Sequence, residues 1–191
     1  MKDKVDHLLE QHAHTQSLHE NLEKTVAASN HDDLFLEFGV ATGHTITRIA
    51  SRHDGIVYGF DSFKGLPEDW RSGIGKGAFA QNVLPVVPEN VELLVGLFQD
   101  TVDDFLATHP GNIGFIHLDA DLYSSTSYVL TKFKDRFVEG SILMFDEFAH
   151  YPGYKEHEYK AFIEFLDQVN FDVEFVGKWH GESYTFKLVK K

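Results

Sequence analysis

Five short apolar runs, at residues 34–38, 56–60, 91–96, 113–118 and 141–145, restrict this chain more than any other feature. Each has the length of a strand and is too short to stand as a helix. Helical periodicity fills most of the gaps. Ile46, Ile49 and Ala50 share one face of a segment at 45–52, and Val129, Leu130, Phe133 and Phe137 share one at 125–137. A further helix is expected at 101–108, capped by Asp100 or Thr101, and another at 156–169 with Tyr159, Phe162, Ile163 and Leu166 inward. Strands alternating with helices make a parallel sheet covered on both faces. Two last strands, at 172–176 and 183–189, are separated only by a turn around "KWHG", so they must pair antiparallel. The expected fold is therefore α/β: seven strands, mostly parallel, ending in an antiparallel hairpin.

The remaining segments complete the outline. Val5, Leu8, Leu9, Leu18, Leu22 and Val26 give residues 1–32 one or two amphipathic helices ahead of the main domain, 33–191. Between 62 and 90 lie Gly65, Pro67, Gly73, Gly75, Gly77, Pro85 and Pro88, which predict a long loop with a short helix inside it. With 191 residues and no internal repeat, a single core is expected. The chain has no cysteine, which excludes disulfides and thiolate zinc sites and fits a reducing cytoplasm. At a net charge of -13 nothing suggests a basic face for nucleic acid, though the charge alone does not exclude one, and no apolar run reaches the roughly 20 residues of a membrane helix. Small molecules and cations are the partners this composition favours. The twelve histidines are scattered and read mostly as surface residues.

In open α/β sheets, ligands bind at the carboxyl ends of the strands. The five runs end there in one phase: Glu37, Gly39 and Gly43; Asp61; Gly96, Phe98, Gln99 and Asp100; Asp119 and Asp121; Asp146 and Glu147. Gly39 and Gly43 allow close approach of a ligand, and the helix near Thr45 offers N–H groups to an anionic group. Asp61 stands where an acid commonly accepts ribose hydroxyls, although it could simply cap a turn. Glu37 would repel a pyrophosphate and suits a cation. A ribose, a carboxylate and a cationic centre in one ligand describe S-adenosylmethionine. Three acids at two adjacent strand tips, Asp119, Asp146 and Glu147, also call for a hard divalent cation such as Mg²⁺. Milder readings exist beside these. Asp121, Ser124, Ser125 and Thr126 could cap the following helix, and Lys160 could lie on a solvated face.

The segments "LEFGVATGHTI", "VYGFDSFKGLP", "GLFQDT", "FIHLDADLYSST" and "SILMFDEF" together resemble the class I, Rossmann-like methyltransferases related to macrocin and mycinamicin O-methyltransferases. The likeness spans roughly residues 33–165, with a fainter one to catechol O-methyltransferase. It implies that Glu37, Gly39, Gly43 and Thr45 hold the methionine part of the cofactor and Asp61 the ribose. Gly96, Phe98 and Gln99 would adjoin the adenine, and Asp119, Asp146 and Glu147 would bind Mg²⁺. Catechol O-methyltransferase has a lysine base three residues beyond the matching aspartate; here Leu122 stands there. The base is then Asp119 or a histidine of the 150–157 segment such as His157. The implied reaction is methyl transfer to a small-molecule hydroxyl, in a sugar or phenolic with a vicinal pair. Two rivals stay open: a nicotinamide-dependent oxidoreductase, against which the missing G-x-G-x-x-G counts, and a non-catalytic cofactor- or metal-binding module. The cover of the pocket falls to the 62–90 loop, to the N-terminal helices as a lid, or to a second copy of the chain in a homodimer.

Overall fold

A computed structural model describes residues 1–11 and 16–191. Its centre is a seven-stranded sheet in the order β3-β2-β1-β4-β5-β7-β6. The strands are β1 Leu34–Phe38, β2 Val57–Asp61, β3 Val91–Val95, β4 Ile113–Leu118, β5 Ile142–Phe145, β6 Phe171–Gly177 and β7 Tyr184–Lys190. The first five pair in parallel, so all their carboxyl ends fall on one edge. The closing pair is antiparallel as expected, with β7 inserted between β5 and β6.

The helices are α1 Lys2–Gln11, α2 Leu18–Ala27, α3 His44–Ala50, α4 Phe98–Thr108, α5 Tyr123–Lys132 and α6 Glu158–Gln168. Alternation along the buried strands divides the core into two layers. Leu36, Phe38, Phe60, Ile116, Leu118 and Phe145 face α1, α4, α5 and α6. Phe35, Val57, Phe115 and Met144 face α2 and α3. The first layer is aromatic: Phe38 stacks on Phe60 at 4.4 Å, and Phe105 meets Phe60 edge-on at 5.1 Å. Each fully buried aromatic contributes about 1.5–3 kcal/mol, so the strands that carry the site are firmly held.

The N-terminal segment forms two helices. The second opens with a capping box, in which Ser17 and Glu20 satisfy each other's backbone N–H groups. Residues 12–15, between the two, lie outside the described residues.

Three local expectations need correction. Helix α4 begins at Phe98, not 101, and its capping position is Leu97, which has no side-chain acceptor to offer. Asp100 instead sits in the first turn, and the Thr101 hydroxyl donates back to the Leu97 carbonyl at 3.2 Å. Helix α5 begins at Tyr123 behind Leu122, again without a side-chain cap, so Asp121, Ser124, Ser125 and Thr126 do not serve as caps. Among the described residues, 62–90 contains no helix, only an isolated bridge between Arg71 and Ile74. Its glycines and prolines interrupt every turn of backbone bonding that could have propagated.

Candidate active site

A cavity of about 290 Å³ lies along the carboxyl ends of the first five strands. Its wall brings together Gly39, Asp61, Gly96, Phe98, Gln99, Asp119, Asp146 and Glu147. These come from five strand ends that are distant in sequence and adjacent only because the strands are parallel.

The floor is a backbone contact. Gly39 has φ +92°, and a Cβ placed on it would lie 1.8 Å from the carbonyl oxygen of Asp119. Only glycine lets the tips of β1 and β4 meet this closely. Asp61 organises the neighbouring turn. Its Oδ2 accepts the N–H groups of Val40 and Ala41 at 2.9 and 2.8 Å, and its Oδ1 accepts that of Phe63 at 2.7 Å. The turn-capping reading of Asp61 is thus realised, and the same side chain still faces the cavity. A carboxylate has about four acceptor sites, so three amides leave room for a ligand hydroxyl. Gly43 and Thr45 are not on the wall. Gly43 caps α3 with φ +78° and lies under Pro85 and Val87 of the long loop.

Glu37 sits behind the wall rather than on it. It is 1% exposed, on the α2 and α3 side of the sheet, and its Oε1 lies 2.8 Å from Nδ1 of His117. Burial raises its carboxyl above the usual range against the opposing pull of the His117 bond. Oε2 of Glu37 and Nε2 of His117 are buried without a partner. His117 was not singled out from the sequence. Its signal was a lone polar residue in the apolar run "IGFIHL", at the position that pairs with Glu37 across β1 and β4.

The acids converge as the sequence proposed. One carboxylate oxygen from each of Asp119, Asp146 and Glu147 lies within 4.8 Å of the others. Burial, then the charge of Asp146, pushes Asp119 well above the usual carboxylate range. Burial and Asp146 carry Glu147 up to about 10. Asp121, at φ +60° and also on the wall, is raised to about 6 by burial, with Glu147 and then Arg71 pulling the other way and Asp146 adding to the rise. Acids so crowded hold protons or a cation. A hard divalent ion fits this all-oxygen set, and the partnerless Oε2 of Glu147 is a free donor for one. Strain collects here too. Ala41, Phe79 and Asp121, all on the wall, have φ between +45° and +66°. Each such residue costs about 1–3 kcal/mol and is typical of functional loops.

Residues from the long loop and the last hairpin surround the acids, and the sequence reading missed them. His180 places Nε2 3.4 Å from Oδ1 of Asp146. The Arg71 guanidinium stacks over Trp70 and Tyr151 at 4.0 and 4.8 Å and binds Glu182 at 3.0 Å. Between α5 and α6, Thr126, expected as a cap, instead donates to buried Glu158 at 3.0 Å. The two histidines weighed as bases are elsewhere. His150 bonds the Tyr184 hydroxyl at 2.8 Å, and His157 meets the edge of Trp70 with neither residue on the wall. Lys160 lies over the ring of Tyr123 at 4.6 Å, on the partly exposed outer face.

A parallel sheet with its β7 reversed, and a cavity of glycines and acids on its carboxyl edge, define a Rossmann-like methyltransferase architecture. The family model described as a methyltransferase domain matches residues 36–148, and the chain belongs to that family. It is an S-adenosylmethionine-dependent enzyme of the class I fold. Among solved structures, the calicheamicin methyltransferase CalS11 has a TM-score of 0.68 and 22% identity, covering 88% of this chain and 76% of that one. The O-methyltransferase NovP has a TM-score of 0.60 and 20% identity, covering 91% and 78%. An O-methyltransferase from Bacillus cereus in complex with SAH has a TM-score of 0.57 and 15% identity, covering 99% and 89%. No curated protein matches the chain. Among the described residues, no helix is long and apolar enough to cross a membrane.

Proposed function

We propose that the chain transfers the methyl group of S-adenosylmethionine to a hydroxyl of a small molecule, a sugar or phenolic bearing a vicinal pair, with help from a divalent cation. The observation that carries this reading is the convergence of Asp119, Asp146 and Glu147 in the same cavity as the Gly39 turn and Asp61. Two similar structures support the acceptor class: NovP is an O-methyltransferase, and CalS11 is a TDP-rhamnose 3'-O-methyltransferase.

The residues divide the work. Asp61 accepts from the ribose hydroxyls with the lone pairs its three amides leave free. Phe98 and Gln99 adjoin the adenine, and Glu37, buried behind the wall with Oε2 unpartnered, supplies the negative charge that favours the ammonium end. Bound S-adenosylmethionine supplies an electrophilic methyl group, and Mg²⁺ held by Asp119, Asp146 and Glu147 supplies a Lewis-acidic seat for acceptor oxygens. Asp119 takes the hydroxyl proton. The rest of the catalytic effect is orientation in a walled cavity.

The test is a panel of sugars and catechols incubated with labelled methyl donor, with and without chelator. Labelled product that disappears on chelation, and in Asp119→Asn with its fold intact, is the expected result. Turnover undiminished by chelator would remove the metal from the reading, and absence of product across the panel would return the chain to a binding module.

A further inference from the structure

We infer that His180, on the turn between β6 and β7, is a positioning residue that holds Asp146 in place for the cation; the inference rests on the metal reading above. The turn reaches the site through a set of bonds that leave the imidazole little choice. Ser183, wholly buried, accepts the N–H groups of Trp179 and His180 at 2.9 and 3.1 Å. The Glu182 carbonyl accepts the N–H groups of Phe148 and Ala149 at 2.9 and 3.0 Å, which ties the turn to the strap directly after Asp146 and Glu147. The Glu182 side chain binds Arg71 of the long loop at 3.0 Å. Three separate segments are thereby clamped around the acids.

Within that frame the tautomer of His180 is set. Its Nδ1 lies 3.1 Å from the backbone N–H of Glu182, which can only donate, so Nδ1 is the acceptor. The ring proton then sits on Nε2, and Nε2 faces Oδ1 of Asp146. At 3.4 Å the contact is longer than a relaxed bond of about 2.9–3.0 Å, but its sense is fixed: a donor facing a carboxylate. Nε2 cannot serve as a cation ligand without giving up its proton and with it the bond from Glu182. The backbone N–H of Asp146 donates to the Leu118 carbonyl at 3.0 Å, so the residue is anchored at its main chain by β4 and at its side chain by His180. Partners that orient a metal-binding carboxylate in this way typically change affinity by about 10–100-fold when removed.

Two substitutions separate the halves of the imidazole. His180→Asn keeps an acceptor near Nδ1 for Glu182, and its shorter side chain leaves its amide N–H groups short of the Nε2 position that faces Asp146. His180→Gln reaches the Nε2 position with a donor. Mn²⁺ serves as the probe, its binding followed by loss of the free-ion paramagnetic resonance signal, with a thermal melt run on every variant. His180→Asn is expected to bind Mn²⁺ about 10–100-fold more weakly than wild type, with His180→Gln recovering most of the loss. Ser183→Ala, which loosens the turn but leaves the imidazole, should fall well short of the Asn effect. Wild-type affinity in His180→Asn overturns the inference, as does an equal loss in Asn and Gln or an equal loss in Ser183→Ala. Failure of the metal reading looks different: wild type and Asp119→Asn would then bind Mn²⁺ equally or not at all.

Discussion

Substituting Gly39 by alanine tests whether the two strand tips are joined as tightly as the structure has them. The new Cβ would stand 1.8 Å from the Asp119 carbonyl oxygen and 2.8 Å from its carbon, both backbone atoms that no rotamer change can move. Holding a left-handed conformation adds about 1–2 kcal/mol, and forcing the strands apart adds about 1–3 kcal/mol. The sum, about 2–5 kcal/mol, lowers the melting temperature by about 4–20 °C in a chain of this size. Gly73→Ala is the control. It has φ +85°, nearly the same, with no atom within 4 Å of the added carbon. Both changes stiffen the unfolded chain alike, so their difference isolates the contact, about 1–3 kcal/mol. Because the contact sets the position of Asp119, Gly39→Ala should also weaken S-adenosylhomocysteine binding at least about tenfold by calorimetry, about 1.4 kcal/mol. Equal melting of the two variants, with cofactor product bound as in wild type, would refute the reasoning.

Other substitutions probe single side chains. Asp61→Ala strips an acceptor from three backbone amides and is expected to lower stability by about 2–4 kcal/mol and to abolish measurable S-adenosylhomocysteine binding; a folded variant with wild-type affinity sinks the ribose assignment. Glu37→Gln keeps the contact with His117 while removing the charge, so cofactor affinity should fall with the melt intact; unchanged affinity would assign the pair to the fold alone. Glu158 is raised well above its ordinary value by burial, so the native state holds a proton that the unfolded chain releases above about pH 4.5. The stability tied to that proton is complete below this pH and drains away as pH rises toward the native value. Glu158→Gln should therefore gain on wild type by up to about 1.4 kcal/mol per pH unit above it, and a pH-independent difference in urea melts would contradict this.

The strand tips were legible because a parallel strand buried on both faces is a continuous apolar run, and its end is marked by the first polar residue. Asp61, Asp119, Asp146 and Glu147 were each found in that way, and all lie on one cavity. The helix starts were misjudged for a related reason. Polar residues such as Thr101 and Ser124 look like caps, yet the chain places Leu97 and Leu122 there and leaves the first turns open at the site. His180, Arg71 and Glu182 carried no local signal, since their meaning depends on a hairpin and a loop folding back over strands far away in sequence. Glu37 was read correctly as an unusual buried acid, but its partner His117 is 80 residues distant and visible only once β1 and β4 are paired.

The position of β7 has a consequence for how the chain is made. The latest of the seven strands to emerge is an interior one, and β6 joins the sheet only through it. Until β7 arrives, β5 presents a bare row of N–H and C=O groups, the kind of edge that invites pairing with other chains. That strand also completes the seating of the first helix, since the Tyr184 hydroxyl donates to the Leu9 carbonyl, beside the Tyr159 bond to Asp6 at 2.7 Å. Synthesis must therefore reach β7 before β5 and β6 find their places in the sheet, and a nascent chain interrupted after β6 would be the species most in need of a chaperone.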